Sequence, residues 1–337
     1  MQNSYSKIYS IVVISIMISI LILMQSCSSI DYISNGTNQV ESVQTNKNEF
    51  SIVTYNIKAI YDKEKDQINN LMTFINNENF DFVLFQELFD ESMRDEIIEQ
   101  SNTEHFNTII SRVDYNSFPE FIFQDAGLFM MSRYPRVDLS DIEFSDATKT
   151  SNGVIHMILD KEISKTNDFL ANKSILGSLF EIDDSTRLFL FTTHVQAIGT
   201  TEHKELQFDQ IGKFIYSAVD TVLSSTILLS PKDLIVLLAG DFNSNAYSKD
   251  RFLRLQKLLG NPRDLHMEHH GFNKEYTFRF RSRNPSRRFD YIFAYDQIGE
   301  NKLKSVDVKS INAEDVKDDS SNGISDHLAL KATILMN

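Results

Sequence analysis

From Phe50 to the C-terminus the chain repeats short apolar blocks, and the blocks switch between two periods. Phe50 to Tyr55, Phe80 to Phe85, Gly127 to Ser132, Gly153 to Leu159, Arg187 to Thr193 and Leu234 to Leu238 are runs of strand length, as are Phe289 to Ala294 and Leu328 to Leu335. They are rich in β-branched and aromatic residues and too short for buried helices, so they predict strands. Between them, Ile68, Leu71, Met72 and Ile75 recur at helical spacing and predict a helix over Gln67 to Ile75. Asp90 to Gln100 reads as a charged helix, with Asp90 as the cap that accepts from the first turn's free N–H groups. Leu206, Ile211, Phe214, Ile215, Ala218 and Val222 form one stripe of a long helix over Glu202 to Leu223. Strands interleaved with helices, with no internal repeat and no Gly/Ser/Pro linker, predict one α/β domain over residues 49–337.

The N-terminus is patterned differently. Lys7 is the only charged residue before position 31, and Ile8 to Met24 is apolar apart from Tyr9, Ser10, Ser15 and Ser19. A basic end followed by an apolar stretch and small residues predicts an export signal over residues 1–26. Cys27 stands where a bacterial lipobox places its cysteine, and this resemblance to a lipoprotein signal implies that Cys27 is lipidated and becomes the mature N-terminus. An uncleaved anchor is the alternative, since the run is at the short end for a membrane span. Both readings export the rest of the chain and hold it at a membrane; the lipoprotein reading implies a lipid anchor at a bacterial cell surface or outer membrane, with secretion as the remaining possibility. Residues 27–48 are dominated by Ser, Asn, Gln and Thr and read as a polar tether.

Composition narrows the class. The chain has 337 residues, 42% hydrophobic and 24% charged, which excludes wholesale disorder. A single cysteine excludes a disulfide framework and a multi-cysteine zinc site. A formal net charge of -14 argues against broad electrostatic capture of nucleic acid. It leaves room for a nuclease in which local charge and bound metal reverse the balance in a cleft.

The candidate chemistry lies at strand ends. Asn56, Glu87 and His194 each follow a predicted strand, as do Asp241 and Asn243. Asp290 lies inside Arg287 to Phe293, and Ser325-Asp326-His327 precedes the final strand. Taken singly, each has a plain structural reading as a turn residue, a helix start or a satisfied core histidine. Together they supply carboxylate and amide oxygens, which suit a hard cation such as Mg²⁺, and imidazoles, which suit proton transfer from water.

In order along the chain, Asn56, Gln86-Glu87, Thr193-His194, Gly240-Asp241-Phe242-Asn243, Phe289-Asp290-Tyr291-Ile292 and Ser325-Asp326-His327 resemble the motifs of the endonuclease/exonuclease/phosphatase superfamily, over residues 50–335. The resemblance implies a DNase I-like α/β (α+β) fold, a four-layer α-β-β-α sandwich, that cleaves phosphate esters with a divalent metal. Within the superfamily the chain is most similar to bacterial neutral sphingomyelinases, through Thr193-His194-Val195-Gln196-Ala197, Gln86-Glu87-Leu88-Phe89, Asp125-Ala126-Gly127, Ser132-Arg133-Tyr134-Pro135 and Gln207 to Ile211. Two departures stand out. Ser305 to Gly323 is polar and lacks the aromatic hairpin of host-attacking members, and Ile198-Gly199 replace the acidic residues that usually follow the histidine motif.

The resemblance implies roles. Glu87 and Asn56 hold Mg²⁺ (or Mn²⁺ or Co²⁺), and Asp326 binds a second metal or fixes its loop. His327 is the base that takes a proton from water, and Asp290 orients it. Asp241 and Asn243 position the water and a phosphate oxygen, and His194 donates to the phosphate. The implied partner is a phospholipid membrane substrate, met by a monomer.

Two further clusters carry open readings. Arg279, Arg281, Arg283, Arg287 and Arg288 alternate with Phe278, Phe280 and Phe289. They read equally as a solvated strand face or as a phosphate-collecting edge, with Arg287 and Arg288 as the candidate phosphate ligands. His266, His269 and His270 suggest a metal site, but Glu268 is their only obvious companion, so a surface loop is expected. Three functions are weighed: a sphingomyelin or related phospholipid phosphodiesterase, an exported metal-dependent nuclease, and a catalytically dead surface-binding module. The last would require a lost metal or base position, and all of these positions are filled.

Overall fold

The computed structural model describes residues 32–34, 48–59, 65–101, 105–112, 124–145, 148–151, 153–162, 167–227, 230–271, 275–279 and 287–337. The export signal and Cys27 lie outside them, as do Arg281 and Arg283 of the basic run. Among the described residues no helix is long and apolar enough to cross a membrane.

Two mixed sheets of seven strands each stack face to face. In the first, the strands lie in the order β1 (Tyr32–Ser34), β4 (Thr108–Ile110), β5 (Phe129–Ser132), β3 (Phe82–Leu88), β2 (Glu49–Ala59), β16 (Ala329–Met336) and β15 (Val306–Glu314). In the second they run β11 (Arg263–Asp264), β12 (Asp290–Tyr295), β10 (Leu234–Asp241), β9 (Arg187–His194), β8 (Ser174–Glu181), β7 (Val154–Ile158) and β6 (Lys149–Ser151). A small ribbon joins β13 (Gln297–Ile298) to β14 (Asn301–Lys302). Alternate residues of the long strands face opposite ways, and both faces are apolar. Phe50, Ile52, Phe82 and Leu84 of the first sheet therefore meet Leu188, Leu190, Ile235, Leu237 and Ile292 of the second in one core.

The outer faces are covered by helices. Helices α1 (Lys65–Glu78) and α2 (Glu91–Gln100) seal the first sheet through Leu71, Met72, Ile75 and Ile97. Helices α3 (Thr201–Leu223) and α4 (Lys249–Leu258) seal the second through Ile211, Phe214, Ile215, Val222 and Leu255. A short helix, α5 (Leu265–His270), closes the β11–β12 end. The result is the four-layer α-β-β-α sandwich. Asp90 caps α2 as its residue type predicts, accepting from Met93 N at 2.8 Å.

Among the elements that the pattern reading did not give, three show why. Tyr32–Ser34, inside the stretch read as a tether, pairs antiparallel with β4 at the sheet edge. β8 has no clean apolar run because Gly177 and two serines interrupt it; a Cβ at Gly177 would sit 2.6 Å from the Phe191 ring. β15 falls in the polar stretch without an aromatic hairpin, and its alternating exposure marks it as a sheet edge that needs few apolar residues.

Candidate active site

Strand register assembles the site. β10 runs parallel to β9 and antiparallel to β12, so Asp241 stands beside His194 on one side and Asp290 on the other. In the facing sheet, β2 and β3 run parallel and pair Asn56 with Gln86. The ends of these strands bring the two groups of residues together across the top of the sandwich. Gln86 is buried beneath them, and its amide donates to Thr54 Oγ1 at 3.0 Å and to Thr192 Oγ1 of the opposite sheet at 3.2 Å.

Close turns aim the side chains. Lys58, Glu87 and Asn243 have φ of 49°, 54° and 47°, the left-handed region that costs roughly 1 kcal/mol or more for residues with a Cβ. Gly240 has φ 143°, and a Cβ there would lie 2.1 Å from the Thr193 carbonyl oxygen, so only glycine lets β10 lie against β9 just before Asp241. Behind Glu87, the buried Arg94 guanidinium donates to Asp125 at 2.6 and 2.8 Å and to the Leu88 carbonyl at 2.5 Å. Asp125 in turn accepts from Gly127 N at 2.6 Å, which accounts for the Asp125-Ala126-Gly127 motif as a brace for the Glu87 turn.

Asn56 is the hub of the carboxylates. Its Nδ2 donates to Glu87 Oε1 at 2.9 Å and to Asp241 Oδ2 at 3.0 Å, and its Oδ1 accepts from Lys58 N at 3.1 Å. It was expected to offer its oxygen to a metal; in this structure it bridges the two carboxylates through its amide hydrogens instead. Asn243 is likewise committed inward. Its N–H meets Asp241 Oδ1 at 2.8 Å, and its Nδ2 donates to the Val195 carbonyl at 2.9 Å and to Asp241 Oδ2 at 3.2 Å. The carboxylate of Asp326 pairs with Lys58, a contact that suits the loop-fixing one of its two expected roles. Ser325 completes that loop: its hydroxyl donates to the Asn56 carbonyl at 2.7 Å and accepts from His327 N at 3.1 Å.

The two histidines differ in charge. His327 Nδ1 lies 2.8 Å from Asp290 Oδ2, and its Nε2 lies 3.6 Å from Asp241 Oδ2. Burial pushes its pKa down, but Asp290 and Asp241 outweigh burial and raise it to about 10. His194 is buried with no hydrogen-bond partner on either ring nitrogen; its Nε2 is 3.4 Å from Glu87 Oε1 and 3.8 Å from Asp241 Oδ2. Burial, with Lys173 and His327 nearby, holds it well below the usual imidazole value, so it is neutral. Asp241 is pushed up to about 7, first by burial and then by Asp290, against the pull of His327.

These residues fit a divalent cation. One ligand atom each from Glu87, His194 and Asp241 falls within 4.8 Å of the others, and so does one each from Asp241, Asp290 and His327. Asp241 is a buried carboxylate whose charge its protein neighbours do not fully offset, and His194 presents unpartnered nitrogens beside it. Oxygen-rich donors of this kind suit Mg²⁺.

Several residues were not legible from motif spacing. Thr277 Oγ1 accepts from Phe289 N and Asp290 N at 3.0 and 3.1 Å, and Phe278 packs edge-on against His327 at 4.8 Å. Lys204 Nζ donates to the Asn243 carbonyl at 2.9 Å. The hydroxyl and ammonium types carry no pattern of their own; only the fold brings them in.

The basic run divides. Arg288 was expected to bind phosphate, but its guanidinium is buried, bonded by both terminal nitrogens to Asp264 and stacked 4.5 Å from the Tyr291 ring centroid. It is a core ion pair and faces no substrate. Arg279 pairs with Asp315 at 2.8 Å. Arg287 remains partly exposed, over the Phe289 ring at 5.9 Å. The expected surface loop of histidines is also corrected. His266 and His270 lie on α5, His266 is 1% exposed, and Glu268 pairs with Arg263 while Glu275 contacts both imidazoles.

Comparison with known proteins agrees with the fold. The sequence matches no curated protein significantly. The fold is similar to that of beta toxin from Staphylococcus aureus with bound magnesium ions, at 18% identity and TM-score 0.57, covering 84% of this chain and 99% of that one. It is also similar to sphingomyelinase C from Streptomyces griseocarneus, at 18% and 0.56, covering 85% and 99%. A third similar structure is D. rerio TDP2 complexed with single strand DNA product, at 16% and 0.56, covering 86% and 99%. Residues 217–327, which hold Asp241, Asn243, Asp290 and His327, match the Endonuclease/Exonuclease/phosphatase family model. The family match covers the C-terminal half of the site, and over most of the chain the two stacked mixed sheets are similar in fold to these solved structures.

Proposed function

We propose that the protein is a divalent-cation-dependent phosphodiesterase that hydrolyses sphingomyelin, or a related phospholipid, to ceramide and phosphocholine. The observation that carries the hydrolytic reading is the buried Asp290–His327 pair, 2.8 Å apart, facing Asp241, Glu87 and His194. Glu87 and Asp241 are the residues that would hold the cation. When bound, it would offset charge on a phosphoryl oxygen and on the carboxylate that keeps His327 protonated.

The chain's own groups then divide the work. Asp290 holds the His327 Nδ1 proton, which leaves Nε2 toward Asp241 to take a proton from water. His194 is neutral and buried, so it donates a hydrogen bond to a phosphoryl oxygen without bringing a charge of its own. Asn56 and Asn243 hold the Asp241 carboxylate from two sides and fix its direction.

The lipid substrate is supported by Thr193-His194-Val195-Gln196-Ala197, which resembles the sphingomyelinase segment, by similarity to sphingomyelinase C, and by an N-terminus that reads as a lipoprotein signal at Cys27. On this reading the enzyme is lipid-anchored outside the cell, and the tether raises its concentration at lipid surfaces. The similarity to TDP2 with a DNA product favours a nuclease as the second reading. The net charge of -14 and the internal pairing of Arg288 and Arg279 weigh against it.

The test offers the purified protein sphingomyelin liposomes and plasmid DNA in parallel, each with Mg²⁺ or EDTA, beside His327→Ala. Phosphocholine release that needs both Mg²⁺ and His327 supports the proposal. DNA cleavage without phosphocholine moves the assignment to a nuclease, and no turnover of either moves it to another phosphate ester or to a binding module.

A further inference from the structure

A second cluster of ligands lies at the β11–β12 end, separate from the residues of the active site. His266 and His270 are four apart on α5, so their side chains share one helix face, and their ring centroids are 4.6 Å apart. Glu275 returns to the same face: its Oε2 lies 2.8 Å from His266 Nε2 and 3.7 Å from His270 Nε2. One ligand atom from each of the three lies within 4.8 Å of the others. A tetrahedral zinc with bonds near 2 Å holds its donors about 3.3 Å apart, so the two measured separations bracket what that ion requires.

We propose that His266, His270 and Glu275 form a binding site for a zinc-like divalent cation, distinct from the hard-cation site at Glu87 and Asp241. Imidazole suits zinc and related transition metals better than magnesium, so the two sites differ in which ion they select. Three protein ligands leave a fourth position for water, and His270 and Glu275 are 23% and 31% exposed, which gives an entry path.

The surroundings prepare the ligands. Burial, opposed by Glu275, lowers the His266 pKa and keeps the ring neutral, the form that binds metal. Glu275 stays ionised: burial raises its pKa, but hydrogen bonds from His266 and from the Ala313 backbone outweigh that. The nearby Arg288 charge is offset by Asp264, which also caps α5 through His266 N and Met267 N at 3.1 Å each. His270 Nε2 also lies 2.6 Å from the Ile311 carbonyl, so a cation held through Nε2 takes the place of that hydrogen bond. Tyr247 fixes the Glu275 backbone, donating to its carbonyl at 2.7 Å and accepting from its N–H at 3.0 Å.

The site has a structural consequence. Glu275 is two residues before Thr277, whose hydroxyl holds the Phe289 and Asp290 amides and whose carbonyl accepts from Leu328 N at 2.7 Å. A cation on Glu275 therefore clamps, against α5, the segment that positions Asp290 beside His327.

The test is metal stoichiometry. The full chain is stripped with EDTA and titrated with Zn²⁺ in excess Mg²⁺, and bound zinc is counted by atomic absorption; Co²⁺ serves as the optical probe. The unaltered chain is expected to bind one zinc more than His270→Ala or Glu275→Gln, or to bind it at least ~10-fold more tightly, and to show tetrahedral Co²⁺ absorption that both variants lose. Both substitutions are at partly exposed residues, and circular dichroism verifies that the variants are folded. Equal zinc binding by the three proteins, or no zinc beyond that retained by both variants, overturns the proposal and leaves His266–Glu275 as an ion-pair contact.

Discussion

His327 Nδ1 sits 2.8 Å from Asp290 Oδ2, although the two residues are 37 positions apart and flank strands of opposite sheets. Asp290 opens β12 and His327 precedes β16, so the contact closes the gap between sheets at the site. Both groups are buried, which strengthens the pairing and its effect on the ring.

If the pair works as a unit, removing either member disables both. His327→Ala and Asp290→Asn should each lower kcat by about 10²–10⁴ with little change in KM. The double variant should be no slower than the worse single. Steady-state kinetics on a soluble phosphodiester decide this, and independent, additive losses would contradict it.

The metal-free site should lose stability as pH rises. His327 moves from 6.5 in the unfolded chain to about 10 when folded, so its contribution is full below about 6.5 and lost as pH rises through about 10. Asp241 moves from 3.8 to about 7, so the folded state also holds its extra proton and loses stability as that proton leaves. Urea midpoints in EDTA should fall between pH 6 and pH 9, by at most about 1.4 kcal/mol per pH unit for each group. Adding Mg²⁺ should release protons, read by calorimetry in buffers of different ionisation enthalpy; no release would separate the cation from these residues.

Arg287 and Arg288 should separate cleanly. Arg288→Leu strands a buried Asp264 carboxylate and should cost about 3–5 kcal/mol, seen as a large fall in thermal midpoint. Arg287→Ala should leave the midpoint nearly unchanged and raise KM for an anionic substrate. A KM effect from Arg288 at unchanged stability would restore it as a phosphate ligand.

Gly240 should tolerate nothing larger. Gly240→Ala drives a Cβ to 2.1 Å from the Thr193 carbonyl and should cost at least about 3 kcal/mol, with loss of soluble protein. Gly260→Ala is the control: its φ is also positive, at 86°, but a Cβ there meets nothing within 4 Å, so about 1 kcal/mol is expected.

Much of the fold was legible because long buried strands leave apolar runs. β2, β3, β9, β10, β12 and β16 were each found within a few residues of their bounds. β8 and β15 were not, one because two serines and a glycine that Phe191 crowds interrupt its apolar run, the other because an edge strand needs only one apolar face. At the site, Glu87, His194, Asp241, Asn243, Asp290 and His327 were visible as polar residues at strand ends. Arg288 was misread because a buried guanidinium and a solvated one look alike until Asp264 is seen beside it. The histidines of α5 were misread for the converse reason: their partner, Glu275, comes from beyond the helix, not from within it.

The sequence alone determined which segments must be buried and which polar groups their ends carry, because periodicity and residue type are local properties of the chain. Only the tertiary structure decided which of those groups meet. Asn56, Glu87, His194, Asp241 and His327 converge because β2–β3 and β9–β10 run parallel in facing sheets and end on the same side. Register and layer packing join residues far apart in the chain, and the close approach of buried carboxylates and imidazoles then sets their charges, which no local pattern records.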